Sequence, residues 1–169
     1  MNRRIARFEK VSFEQFQEGF ADFKTDAAGT AAVYESIRLP QRATKGSAGY
    51  DFYTPVEIKL QPGESMKVPT GIRCRMEEDW VLQIFPRSGL GFKYRLQLNN
   101  TVGIIDSDYY ASDNEGHIFV KLTNDSREGK TLLLPAGAAF AQGIFLQYGI
   151  TMDDNVEAVR NGGFGSTSG

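Results

Sequence analysis

With 169 residues, 41% hydrophobic and 24% charged, the chain is long enough to bury one core, too short for two, and too apolar for wholesale disorder. A net charge of -2 excludes the global basic field on which non-specific nucleic-acid binding relies, so an anionic ligand must be held by local cations and amides. The single cysteine, Cys74, excludes an internal disulfide; it reads as a small core residue in an alternating apolar stretch and fits a reducing, cytosolic compartment.

The start, Met1 to Arg7, is basic but has no apolar run behind it, and no stretch elsewhere is long enough to span a bilayer. From Val11 to Phe23 the aromatics Phe13, Phe16, Phe20 and Phe23 recur at spacings of three and four, which predicts an amphipathic helix over about residues 12–23. Ser12 with Gln15 reads as a capping box and Val11 with Phe16 as a hydrophobic staple. Asp26 to Ala31, with Gly29 inside it, reads as a linker, so residues 1–33 form an N-terminal extension packed on the main domain or a neighbouring subunit.

After Tyr34 the chain turns into short β-type runs separated by turn residues, the pattern of a sandwich or barrel. Strands are predicted at Val56–Leu60, Met66–Met76, Trp80–Phe85, Gln97–Ile105, His117–Thr123, Thr131–Leu134 and Gln142–Tyr148, with a type II turn at Gln61 to Glu64. In the run from His117, Ile118, Val120 and Leu122 alternate with His117, Phe119, Lys121 and Thr123, giving two chemically different faces. The expected architecture is an all-β, jelly-roll-like domain over residues 34–159, with a Gly-rich segment at 160–169.

Three stretches carry candidate chemistry. Pro86 to Gly91 follows a strand and opens a helical turn, with Ser88 near the cap and Arg87 beside it. That is either a small anion site or an ordinary strand-to-helix turn with a surface arginine. Asn100 to Tyr109 is a β-branched strand running into the acidic turn Asp106, Ser107, Asp108; it reads as a ligand-holding strand end or as a simple hairpin turn, and Tyr110 spoils an EF-hand pattern. Arg160 precedes a glycine run containing Phe164, Ser166 and Thr167, either a tail or a lid in which a ring covers a base and a guanidinium meets a phosphate. Asp113 to Gly116 reads as a solvated loop; His117 has no partner at zinc-ligand spacing, and Ser88 is not in a nucleophile elbow.

Five stretches, in this order along the chain, resemble the motifs of the trimeric dUTP diphosphatase (dUTPase) family: Ala48 to Phe52 after Arg42 to Ser47, Pro86 to Gly91, Asn100 to Tyr109, Gly137 to Gln142, and Arg160 with Gly162 to Thr167. The resemblance covers roughly Tyr34 to the end and implies a jelly-roll subunit in a homotrimer whose active sites draw on all three chains. It implies hydrolysis of dUTP to dUMP and pyrophosphate, which limits uracil incorporation into DNA and supplies dUMP. Mg2+ would be carried mainly by the triphosphate, and no membrane or direct nucleic-acid partner is implied.

By the same resemblance, Asp106 activates water, Tyr109 packs on the deoxyribose, and Asn100 reads uracil with Gly103, Ile104, Ile105 and Phe119. Arg87, Ser88, Gly89 and Gln142 meet phosphates, and Asp51 gives structural support. Arg160, Phe164, Gly165, Ser166 and Thr167 close the site. The chain departs from the family pattern in an insertion, Ala111 to Glu115 before Gly116, in a shorter spacing from Arg160 to the glycines, and in Ala139 where a basic residue is common. A dCTP deaminase would need a glutamate where Lys121 stands, and a non-catalytic nucleotide-binding jelly roll would not require Asp106 with Tyr109.

Overall fold

Short strands in antiparallel pairs build the framework of this computed structural model, which describes residues 3–160. In chain order the elements are β1 (Ala6–Lys10), α1 (Phe13–Gly19), α2 (Ala27–Ser36), β2 (Gln41–Arg42), β3 (Tyr50–Tyr53), β4 (Ile58–Leu60), β5 (Ser65–Pro69), β6 (Ile72–Met76), β7 (Trp80–Pro86), α3 (Ser88–Tyr94), β8 (Leu96–Leu98), β9 (Gly103–Ile105), a 3-10 turn (Ser107–Ala111), β10 (Phe119–Asn124), β11 (Leu132–Leu134) and β12 (Ala139–Gln147). The largest sheet runs β2-β3-β12-β7-β9, and a second runs β5-β10-β8. The pairs β1-β6 and β4-β11 complete a jelly-roll-type fold. Its core is a continuous cluster that includes Phe52, Ile58, Leu82, Ile84, Leu122 and Phe140.

Two predicted strands are in fact each two strands. The run from Met66 to Met76 is broken between β5 and β6 at Gly71, whose φ of +70 is a conformation in which a side chain is strained. The run from Gln97 to Ile105 is broken by a turn in which Thr101 adopts φ +67 and Val102 N–H donates to Asn100 O at 2.7 Å. Both runs alternate well enough to hide a break that only the backbone reveals. The predicted turn at Gln61 to Glu64 forms, with Gly63 at φ +86 and Glu64 N–H donating to Gln61 O at 3.0 Å.

The N-terminal residues are tied into the same core. Val11, Phe16 and Phe20 are buried with it, and Phe8 in β1 lies within 5.7 Å of the rings of Tyr50, Phe52 and Phe145. That strand escaped prediction because Phe8 is its only large apolar side chain between charged neighbours. Helix α1 ends at Gly19, earlier than the aromatic spacing implies, and Phe20 and Phe23 continue the apolar stripe in turns, stacked at 4.6 Å. The predicted linker is instead α2, started by Asp26 Oδ1 accepting from Gly29 N–H at 2.7 Å; an Asp cap followed by two alanines outweighed the single glycine.

Ser12 caps α1 by accepting from Gln15 N–H at 3.1 Å, whereas its own N–H donates to Glu115 Oε2 at 2.7 Å. The second half of the capping box is therefore supplied by Glu115, far away in sequence, and not by Gln15. Ser12→Ala is expected to cost about 1 kcal/mol and lower Tm by about 3 °C, read by thermal melting.

His117 also departs from expectation. Its alternation with Ile118 places it on the polar face, yet it is fully buried against Phe119 at 4.2 Å and Phe16 at 6.3 Å, because α1 roofs that side of the strand. Cys74 is buried and unpaired by any disulfide, and burial pushes its thiol far up in pKa, away from nucleophilic use. No helix among the described residues is long and apolar enough to cross a membrane.

Candidate active site

Strand β9 is the hinge of the candidate site. It pairs with β7 through Leu82 with Ile105, Gln83 with Ile104 and Ile84 with Gly103. At its N-terminal end a cavity of about 360 Å³ is lined by Asn100, Gly103, Ile105 and Phe119, together with Lys67 and Lys121. A Cβ on Gly103 would stand 3.0 Å from Ile84 Cβ, tighter than ordinary contact, so a side chain there would require Ile84 to give by a few tenths of an ångström under the cavity. Ile104 points the other way and is exposed. Lys67 and Lys121 are direct cross-strand partners, and Asp22 lies 3.6 Å from Lys67 Nζ. In the sequence both look like ordinary outward members of alternating strands, with no binding signal of their own.

At the C-terminal end of β9 the chain enters the 3-10 turn, with Asp106 at its cap position. Arg160 closes over this turn. Its Nε donates to Asp108 Oδ1 at 2.9 Å, its second guanidinium nitrogen pairs with Asp106, and its Cζ lies 5.9 Å from the centre of the Tyr109 ring. The acidic turn is thus more than a hairpin connection, because one cation balances two carboxylates there.

Tyr109 is 3% exposed, and its hydroxyl donates to His117 O at 2.7 Å and accepts from Asn114 Nδ2 at 2.8 Å. Burial raises the pKa of its phenol, opposed by the Asn114 hydrogen bond and the charge of Arg160. Asn114 carried no signal in the sequence beyond its place in the polar Asp113 to Gly116 stretch.

A second group of residues gathers beyond the other end of β7. Arg87 Nε lies 3.1 Å from Asp51 Oδ1, so the carboxylate on β3 aims the guanidinium. Gln142 Nε2 donates to Pro86 O at 3.1 Å, and a Cβ on Gly49 would reach within 2.7 Å of Gln142 Oε1. Arg87, Ser88 and Gln142 border an open cleft of about 580 Å³. The cap residue of α3 is Arg87, with no side-chain cap; Ser88 is the first helical residue, and no neighbour lies within 4 Å of where a Cβ on Gly89 would stand.

The first, second and fourth sequence stretches therefore converge, and so do the base-sized cavity and the acidic turn, but the two groups stay apart. Since Leu82 pairs with Ile105, the rise along β7 separates Arg87 from the level of Asp106 by about 20 Å. Arg160 joins the acidic group and not the Arg87 group. Phe164, Gly165, Ser166 and Thr167 lie outside the described residues. Among the described residues no three His, Cys, Asp or Glu side chains converge as a metal site.

A jelly roll with a cavity of nucleobase size, a carboxylate-bearing turn beside it and a separate arginine-serine cleft defines a β protein equipped for a phosphorylated ligand. A family model described as dUTPase matches residues 35–168. The chain is 40% identical over 134 residues to the deoxyuridine 5'-triphosphate nucleotidohydrolase of Lactococcus lactis, covering 78% of this chain and 88% of that one. It is 37% identical over 144 residues to the enzyme of that name from Dictyoglomus turgidum, covering 80% and 93%. The crystal structure of dUTPase from Streptococcus mutans superposes with a TM-score of 0.63 at 34% identity, over 85% of this chain and 97% of that one. A dUTPase from phage phi11 of S. aureus, described for its species-specific insert, shares the fold at 20% identity and a TM-score of 0.64, over 92% and 97% of the two chains. The chain belongs to the dUTPase family.

Proposed function

We infer that this chain hydrolyses dUTP to dUMP and pyrophosphate, acting as a dUTP diphosphatase. The observation that carries the reading is the continuity of β9, with the Asn100–Gly103–Phe119 cavity at one end and the Asp106–Tyr109 turn at the other. Uracil enters the cavity, where the Asn100 amide and backbone groups of Gly103, Ile104 and Ile105 form fixed donors and acceptors. A cytosine edge would leave buried groups unpaired. The sugar then lies on Tyr109, with no room for a 2′-hydroxyl, and Asp106 takes a proton from a water attacking the α-phosphorus. The bond from that phosphorus to the oxygen bridging to the β-phosphate breaks, and pyrophosphate leaves.

Arg87, Ser88, Gly89 and Gln142 hold the phosphates, with Asp51 keeping Arg87 in place. Mg2+ belongs to this reading only as a companion of the triphosphate, whose charge it offsets, and no protein residue holds it. Because Asp106 and Arg87 of one chain are about 20 Å apart along β7, a complete site takes them from different subunits of a homotrimer. Residues 160–169 serve as the closing lid, residues 34–159 as the catalytic β domain and residues 1–33 as an extension built onto it. A cytoplasmic enzyme fits the buried free cysteine.

The test is pyrophosphate release from dUTP, UTP, dCTP and dTTP with Mg2+. We expect dUTP to be preferred over each of the others by at least about a hundredfold in kcat/KM. Equal turnover of dUTP and UTP would remove the assigned role of Tyr109.

A further inference from the structure

The loop from Ala111 to Glu115 is packed onto Tyr109 and the N-terminal segment, and we propose that Asn114 is a positioning residue that fixes the Tyr109 ring and thereby sets discrimination against a ribonucleotide. This rests on the reading of Tyr109 as the surface under the sugar. The Tyr109 hydroxyl is held from two directions, donating to His117 O at 2.7 Å and accepting from Asn114 Nδ2 at 2.8 Å. The amide of Asn114 is itself oriented, because its Oδ1 accepts from Gly116 N–H at 3.2 Å, which turns Nδ2 toward the tyrosine.

Gly116 has φ +70, and a Cβ there would stand 2.7 Å from Tyr109 O, so the loop closes tightly onto the tyrosine's own backbone. Glu115 has the left-handed φ of 56 that a side chain seldom adopts, and its carboxylate explains why the conformation persists. Oε2 accepts from Ser12 N–H at 2.7 Å and lies 3.7 Å from Arg73 Nη1. Arg73 in turn donates to Tyr110 O at 2.9 Å and stacks on the Tyr110 ring at 3.7 Å. The N-terminal segment thus holds Glu115, and Glu115 holds the loop that carries Asn114.

Exclusion by shape needs the ring placed to within about 0.5 Å, and a tyrosine hydroxyl with one partner removed loses part of that constraint. Asn114→Asp keeps the size and the acceptor for Gly116 N–H but cannot donate to Tyr109; Asn114→Ala removes both. We expect each to lower the ratio of kcat/KM for dUTP over UTP about tenfold, with the Asp variant retaining the wild-type trimer and a Tm close to wild type. Tyr109→Phe, which removes both hydrogen bonds, should lower the ratio at least as far, and the double variant Tyr109→Phe with Asn114→Asp should match Tyr109→Phe alone.

An unchanged ratio in both Asn114 variants, or effects that multiply in the double variant, overturns the positioning role while leaving Tyr109 as the sugar surface. A wild-type enzyme that discriminates, together with a Tyr109→Ala variant that discriminates equally well, overturns the reading of Tyr109 and this proposal with it.

Discussion

Asp106→Asn is expected to lower kcat for dUTP by about a thousandfold, within the range for loss of a positioned general base. Asparagine keeps the volume and an oxygen that can accept from Arg160, but its amide cannot take the water's proton. KM should move far less than kcat, because the base cavity, Tyr109 and the Arg87 cleft are untouched. Arg87→Ala should impair turnover through phosphate binding instead, because it removes the cation that Asp51 holds in place. The two variants together test where the site lies. In a trimer that draws Asp106 and Arg87 from different chains, mixing the two inactive variants and allowing subunits to exchange restores about a quarter of the sites, since a site works wherever an intact Asp106 faces an intact Arg87. A site contained in one chain would recover nothing, because every chain in the mixture carries one of the lesions. The register of β9 on β7 favours recovery.

Much of this site is legible in the sequence because its parts are local. Asn100 to Tyr109 is a single run, and the distances from cavity to acidic turn follow from strand rise along Gly103–Ile105. The pairing of Asp51 with Arg87 and the approach of Gly49 to Gln142 depend on β3 lying beside β12 and β12 beside β7, a crossover that no single-chain periodicity specifies. The sheet character of the domain was equally readable, yet the breaks at Gly71 and Thr101 were not, since alternation continues straight through them. Least legible was the use of the N-terminal segment and the loop after Tyr109. Nothing in Ser12 to Gln15 indicates that the open N–H of the cap is filled by Glu115, and nothing in Asp113 to Gly116 distinguishes a solvated loop from one that grips a tyrosine hydroxyl. Arg160 illustrates a related gap, because its sequence context points to phosphate whereas its guanidinium here balances Asp106 and Asp108.

The same long-range packing makes the fold acid-sensitive through His117. Its Nε2 accepts from Gly71 N–H at 2.9 Å, so the proton of the neutral ring sits on Nδ1, which is buried without a hydrogen-bond partner among the described residues. A second proton would have to be placed on Nε2, facing another donor. Burial holds the imidazole down to about 4, with Lys67 acting in the same direction and the Glu115 carboxylate opposing both. A folded-state value below that of the unfolded chain means that the contribution is complete above about pH 6.5 and is lost as pH falls toward 4, a loss of about 3 kcal/mol.

Guanidinium unfolding at fixed protein concentration, at pH 7.5, 5.5 and 4, measures this directly. The carboxylates add their own pH dependence, so the informative quantity is the difference between wild type and His117→Gln, whose amide oxygen can replace Nε2 as the acceptor for Gly71 but does not titrate. At pH 7.5 the variant should be the less stable, having lost the ring packed between Phe119 and Phe16. That deficit should shrink by about 3 kcal/mol between pH 7.5 and 4, as the wild type alone meets the cost of charging a buried ring. A deficit that stays constant across this range would mean that His117 escapes protonation stress by moving to water. Such movement requires α1 to lift, because Gly19 packs so closely on the ring that a Cβ there would lie 2.7 Å from Cε1.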